Sequence, residues 1–268
     1  VFGPASAGYK IFVCWSPAAD LVAGTVVGGI GVLALSQVRR PRDLPLACLP
    51  LLLGVHQLVE SVVWRGLDGT VSATTAHAAL LVWAAIAFPL LPAFVPLAVL
   101  SAIWPDRAAR RRVLPLCALG LVSAGFLAYA LAAHPVGAVA DGHVLTYSLE
   151  IPAGLPVIAG YLLSTLGAPL FSGNRDLRWF GLIAAVGAAV CVVVWQLAFA
   201  STWCAFAALV SLVLVHWLWR QRTDPGPGVP ARPTPAESGA GSGADSSAGS
   251  GAGRLRGDAS SGVTGAGR

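Results

Sequence analysis

Hydrophobic positions along this chain neither alternate nor recur at every third or fourth residue; they run on, with very few charges among them, for about twenty residues at a time. Seven such runs cover approximately 17–38, 44–65, 74–104, 113–133, 151–171, 177–200 and 202–219. A hydrocarbon core of about 30 Å takes roughly 20 apolar residues of helix to cross, so each run predicts a membrane-spanning helix. Each is also too long and too uniform for a half-buried strand. The third run could hold one tilted span or two short ones, and Pro89, Pro92 and Pro96 within it permit a kink or a break.

Arginine placement decides between these. With seven spans, the connections after the first, third, fifth and seventh hold Arg39, Arg40 and Arg42, then Arg107, Arg110, Arg111 and Arg112, then Arg175 and Arg178, then Arg220 and Arg222. The opposite side has only Arg65 and Lys10. Splitting the third run would send the later clusters to the wrong side, so the positive-inside bias predicts one kinked helix there, an outer N-terminus and a cytoplasmic C-terminus. Tryptophans follow the same layout, with Trp15, Trp64, Trp195 and Trp203 near the outer interface and Trp104, Trp179, Trp217 and Trp219 near the inner one. Trp83 alone falls in the middle.

The expected fold class is therefore all-α, a seven-transmembrane-helix bundle over residues 14–222. Residues 136–149 alternate apolar and polar positions around Asp141-Gly142, a dipeptide suited to a type I′ turn, and predict a short outer β-hairpin over the mouth of the bundle. Residues 1–13 form an N-terminal extension without the apolar centre of a cleavable signal peptide, so the first span reads as an N-out signal anchor, opened by Ser16-Pro17 as cap and first-turn proline. Residues 223–268 are rich in glycine and lack aromatic residues. They cannot bury enough surface to fold and are expected to be a disordered cytoplasmic tail.

Composition sharpens the class. The chain is 56% hydrophobic and 11% charged with a mean hydropathy of +0.74, whereas soluble domains are about a quarter charged. Its net charge of +5 is accounted for by membrane orientation, and a nucleic-acid partner is not expected. Lys10 is the only lysine and lies outside every apolar run, which excludes a retinal Schiff base within the bundle. No Gly-x-x-x-x-Gly-Lys-Ser/Thr loop occurs, which excludes P-loop nucleotide hydrolysis. Methionine is absent and the chain opens with Val1.

The run Cys14-Trp15-Ser16-Pro17-Ala18-Ala19-Asp20-Leu21-Val22-Ala23-Gly24, followed by Leu44-Pro45-Leu46 and by Gly54-Val55-His56-Gln57-Leu58-Val59-Glu60, resembles an actinobacterial family of multi-pass membrane proteins that is defined only as a domain of unknown function. The shared signals are an N-terminal Cys-[Phe/Trp]-Ser motif and a His-Gln-x-x-x-Glu motif, and the resemblance covers most of residues 13–220. It implies the membrane class, weight on those two motifs, and Val13 as the initiator with residues 1–12 as an upstream extension that is not native. It implies no activity.

Ionisable groups inside spans cost about 2.5–3.5 kcal/mol each on insertion scales, so they mark partners or sites. Here they are few: Asp20 in the first span, His56 and Glu60 one helical turn apart in the second, and His77 in the third, all in the outer half. With Gln57, Trp64 and, under the hairpin, His143, they are the candidates for a ligand pocket. One reading of His56 and Glu60 is a hydrogen-bonded pair that pins helix packing. Another is a site for a divalent metal such as zinc held by His56, Glu60 and His77, although single ligands on separate helices obey no spacing rule. Asp20 also suits the helix dipole of a first turn. His134 is expected in the solvated outer loop and His216 at the inner interface.

Cys48, Cys117 and Cys191 lie within spans and read as small core residues, whereas Cys14 and Cys204 both sit at the outer ends of the first and last spans. A closed ring would bring those two helices together for a disulfide. The alternatives are two reduced thiols, or Cys14 as a metal ligand. The preferred function is a binding or sensing protein with a polar pocket in the outer half, its partners being the lipid bilayer and a small-molecule or metal ligand. The alternative is a membrane-embedded metal-dependent hydrolase acting at the outer leaflet, with Glu60 as base and His56 and His77 as ligands. Enzymes of the alkaline ceramidase type carry a paired His-x-x-x-His on the last helix, and only His216 stands there, at the wrong end. A transporter would require matched repeat halves, which are not evident.

Overall fold

A computed structural model of the chain describes residues 10–13, 17–141, 144–194 and 199–223, with the side chains of 10–13, 141, 144, 191–205 and 222–223 left aside. Among the described residues there are seven helices: α1 (Pro17–Ser36), α2 (Leu44–Leu67), α3 (Ala73–Ala102), α4 (Arg107–Ala133), α5 (Gly154–Phe171), α6 (Arg175–Val194) and α7 (Phe199–Thr223). The first five are long and apolar enough to cross a membrane, and α7 adds a shorter apolar stretch, Phe206–Gln221. Large apolar residues such as Val22, Leu121, Val122 and Leu212 are exposed along their outer faces, as helices surrounded by hydrocarbon require.

Local chemistry sets the helix ends. Ser72 caps α3 by accepting from the Thr75 N–H at 3.1 Å, and Asp106 caps α4 by accepting from Ala108 and Ala109 at 2.9 and 3.0 Å. Asn174 does the same for α6, accepting from Asp176 and Leu177 at 2.9 and 3.1 Å. Because Asp106 fixes its start, α4 begins at Arg107 and takes the arginine cluster into its first turns rather than starting at the apolar run. The long third run is one helix with a π-helical turn at Ile86–Leu90, where Pro89 lacks the N–H that a regular turn would use.

Neighbours in sequence pack as neighbours in space, and α7 packs against α1, closing the ring. Two crossings are tight. A Cβ at Gly54 of α2 would fall on the Gly28 backbone of α1, and one at Gly120 of α4 would fall on the Pro92 carbonyl oxygen of α3, which Pro96 leaves without its intrahelical donor. The arginine-bearing connections meet at one end. The Arg40 guanidinium donates to Gln221 Oε1 at 3.0 Å, Ser101 Oγ donates to the Arg42 carbonyl at 2.8 Å, Arg220 Nη1 stands 3.4 Å from Asp176 Oδ1, and the Arg112 guanidinium lies beside Gly173. An apolar core built on Leu46, Val99, Val113, Leu177 and Leu214 fills the half of the bundle next to this end.

The opposite end carries a sheet. The expected hairpin is present as β2 (Gly137–Asp141) and β3 (Val144–Ser148), but a third strand, β1 (Lys10–Val13), pairs antiparallel on the other side of β3, giving the order β1-β3-β2. Lys10–Val13 can take this place because a two-stranded hairpin leaves the outer edge of β3 open to further pairing. Leu145 and Tyr147 of β3, with Leu149 just past its end, are buried and close a second core with Trp64, Leu80, Trp83 and Leu127. The expectations for Ser16, for the turn at Gly142 and for the tail over 224–268 lie outside the described residues.

Candidate functional site

Each candidate polar residue can be followed to its place. Glu60 of α2 is fully buried, and the hydroxyl of Tyr147, reaching in from β3, donates to its Oε1 at 3.1 Å. Tyr147 lies flat on the indole of Trp83 from α3, with ring centroids 3.6 Å apart and planes 7° from parallel. The other neighbour of that indole is His56, one turn below Glu60, at 5.0 Å and tilted by 30°. Phe88 completes the stack edge-on to Trp83 at 6.0 Å. Four rings and one carboxyl group from α2, α3 and β3 thus form a single unit, in which the His-Gln-x-x-x-Glu spacing puts both polar members on one face of α2.

Gln57, Ser61 and Trp64 are buried on the same helix. Ser61 donates to the Leu58 carbonyl at 2.7 Å. Asp20 is also fully buried, on the face of α1 that continues through Gly24, and Gly24 sits against Leu58 and the Gly54 carbonyl of α2. One turn beyond Gly24 in this antiparallel pair, Asp20 is level with the turn of α2 that holds Ser61 and Glu60. Two carboxyl groups therefore lie at one depth. Among the described residues, His56 Nε2, Trp64 Nε1 and Trp83 Nε1 are buried without a hydrogen-bond partner, as are Arg42 Nε and Trp217 Nε1 at the arginine end.

His77 does not join them. It is exposed, because the inward row of α3 passes through the half-buried Ala76, which packs on Gly66, and through the buried Ala79, Leu80 and Trp83, while one residue beyond Ala76 is about 100° further round the helix. The expected set of His56, Glu60 and His77 is therefore not gathered on one buried face, and among the described residues no group of three or more His, Cys, Asp or Glu could hold a metal ion. His143, Cys14 and the side chain of Cys204 lie outside the described residues. His134 faces Glu150 at 3.6 Å across the base of the hairpin, and Cys117 is a buried thiol that donates to the Pro96 carbonyl at 3.3 Å.

Within the apolar runs His56 is the partner expected for Glu60, whereas the donor found there is Tyr147, which lies outside them. The signal is the alternation of Leu145 and Tyr147 on β3, continued by Leu149 just past its end, which marks one inward face. Chemically, the unit offers a carboxyl group whose neighbours are aromatic faces and one phenolic donor, within an apolar setting that strengthens every electrostatic contact.

No curated protein and no solved structure matches the chain. Residues 13–227, which include every helix described above and both members of the His-Gln-x-x-x-Glu motif, match a family of unknown function, and the chain belongs to that family, DUF6629.

Proposed function

We propose that this chain is a seven-span protein of the cell membrane, with its N-terminus outside and its C-terminus in the cytoplasm, that binds a small organic cation at Glu60 beneath the outer sheet. The gathering of arginines at one end of the helices supports the orientation through the positive-inside bias, which assigns the sheet and the Glu60 unit to the outer half. A reporter fused after Arg222 should then behave as cytoplasmic and one fused at Gly142 as extracytoplasmic; finding both on one side would refute that topology.

The hydrogen bond from Tyr147 to Glu60 carries the binding reading, because it sets a donor from the sheet against an acid inside a span. An ammonium group has the same donor capacity plus a charge, and carboxylate and aromatic faces are the two surfaces that favour it. Ligand entry replaces the phenol on Glu60, and the sheet that carries Tyr147 moves with it. Purified protein should be stabilised against heat by some members of a panel of primary to quaternary amines, and Glu60→Gln should lose that response. Tyr147→Phe removes the competing donor and should bind the same amine about fivefold more tightly. If no amine stabilises the wild-type protein, or Glu60→Gln responds equally, the reading fails.

A further inference from the structure

At the arginine end, away from Glu60, a cavity of about 500 Å³ opens between α6 and α7. Its rim is basic: Arg175 at the start of α6, and Arg220 and His216 in the last turns of α7. Its floor is apolar and continues toward the middle of the bundle along Ile183, Leu209 and Leu212, the last two of which are themselves exposed. The indole of Trp179, also half-exposed, stands in the wall between rim and floor. Asp176 faces Arg220 at 3.4 Å and offsets one of the two guanidinium charges, leaving the rim one positive charge in excess before His216 is counted.

We infer that this groove is a site for an anionic phospholipid of the leaflet on the arginine side, its phosphate at Arg175 and Arg220 and an acyl chain along Leu209 and Leu212. Charge and polarity change together along the cavity, in the order in which a phospholipid presents them. A free anion would use the rim and leave the apolar floor in water, whereas an uncharged amphiphile would use the floor and leave the guanidinium excess unmatched. Basic pockets between helices at the cytoplasmic face suit anionic headgroups, because each nearby arginine attracts the phosphate. A second groove at the same end repeats the pattern, with Arg42 and Trp104 above Leu97 and Leu100 in a space of about 330 Å³.

Native mass spectrometry of the full-length protein, released from micelles doped equally with phosphatidylglycerol and phosphatidylcholine of the same chain length, tests the site. Wild-type protein should retain phosphatidylglycerol preferentially, and the double variant Arg175→Gln/Arg220→Gln should hold it about tenfold less well. Arg175→Lys/Arg220→Lys keeps both charges and should keep most of the preference, and Arg65→Gln at the other end should not alter it. Leu212→Trp, which fills the floor and spares the rim, should lower retention as well, and it supplies the test if the glutamine variant fails to fold. Equal retention of the two lipids by the wild-type protein, or an unchanged preference in the glutamine variant, would overturn the inference. So would inorganic phosphate competing as well as the lipid, which marks a headgroup-only anion site, or a disulfide-linked dimer through Leu212→Cys, which marks the groove as a contact between two copies.

Discussion

At the arginine end, polar groups stay at helix termini. Asp106 and Asn174 cap α4 and α6, Arg40 meets Gln221, and the interior from Leu46 to Leu214 is apolar. At the sheet end the polar groups are inside the helices: Asp20, His56, Gln57, Glu60 and Ser61 are all buried in α1 and α2, and Tyr147 is carried in from outside them. At the arginine end the buried carboxyl of Asp43 stands at the start of α2, whereas at the sheet end Asp20 and Glu60 are buried within their helices. A buried carboxyl group is tolerated where partners surround it and is costly elsewhere. Stability therefore rests on the first half and chemistry on the second.

The largest effect is expected where two backbones touch. Gly120→Leu sets a branched side chain against the Pro92 carbonyl, and the loss in thermal unfolding should reach about 3 kcal/mol or leave no folded protein after size-exclusion chromatography. Leu46→Ala, in the apolar half, should cost about 2 kcal/mol with no effect on amine binding. In the sheet half the order reverses: Glu60→Gln and Tyr147→Phe should each change stability by about 1 kcal/mol or less, while altering ligand response strongly. A double-mutant cycle between them should show a coupling of about 0.6–1.7 kcal/mol, and a coupling near zero would mean that the phenol and the carboxyl group do not act together. Least is expected from His134→Ala, which removes an exposed contact to Glu150 and should shift stability by under about 1 kcal/mol at any pH. A loss comparable to Leu46→Ala there would show that the sheet, rather than the apolar half, holds the bundle together.

The helices and the gathering of arginines were legible because each depends on a run of about twenty residues or on counted charges, both one-dimensional properties. The single third helix was legible for the same reason, since moving the Arg107–Arg112 cluster across the membrane would contradict every other connection. Depth along a helix could also be read, and Asp20, His56 and Glu60, expected together in the outer half, are all buried residues of α1 and α2. Azimuth could not. His77 lies close to the right depth on the wrong side of α3, and a uniformly apolar helix gives no periodic pattern from which its facing could be read. Tyr147 and the pairing of Lys10–Val13 with β3 depend on how a loop folds back over the bundle, a long-range choice that local alternation marks but does not aim.

The π turn at Ile86–Leu90 has a geometric corollary for α3. A turn that closes on the fifth residue instead of the fourth inserts one extra residue, so the side chains before and after it are out of phase by about 100°. Trp83 precedes that step and stacks on Tyr147; Val95 and Val99 follow it and belong to the apolar core. One helix thereby presents two different meridians to its two halves. Shortening it by a single residue between 86 and 90 would restore a regular helix only by swinging the indole off the phenol, or by turning the valines away from the core. The surplus residue works as a coupling joint whose offset sets how the aromatic stack is aligned with the bundle that supports it.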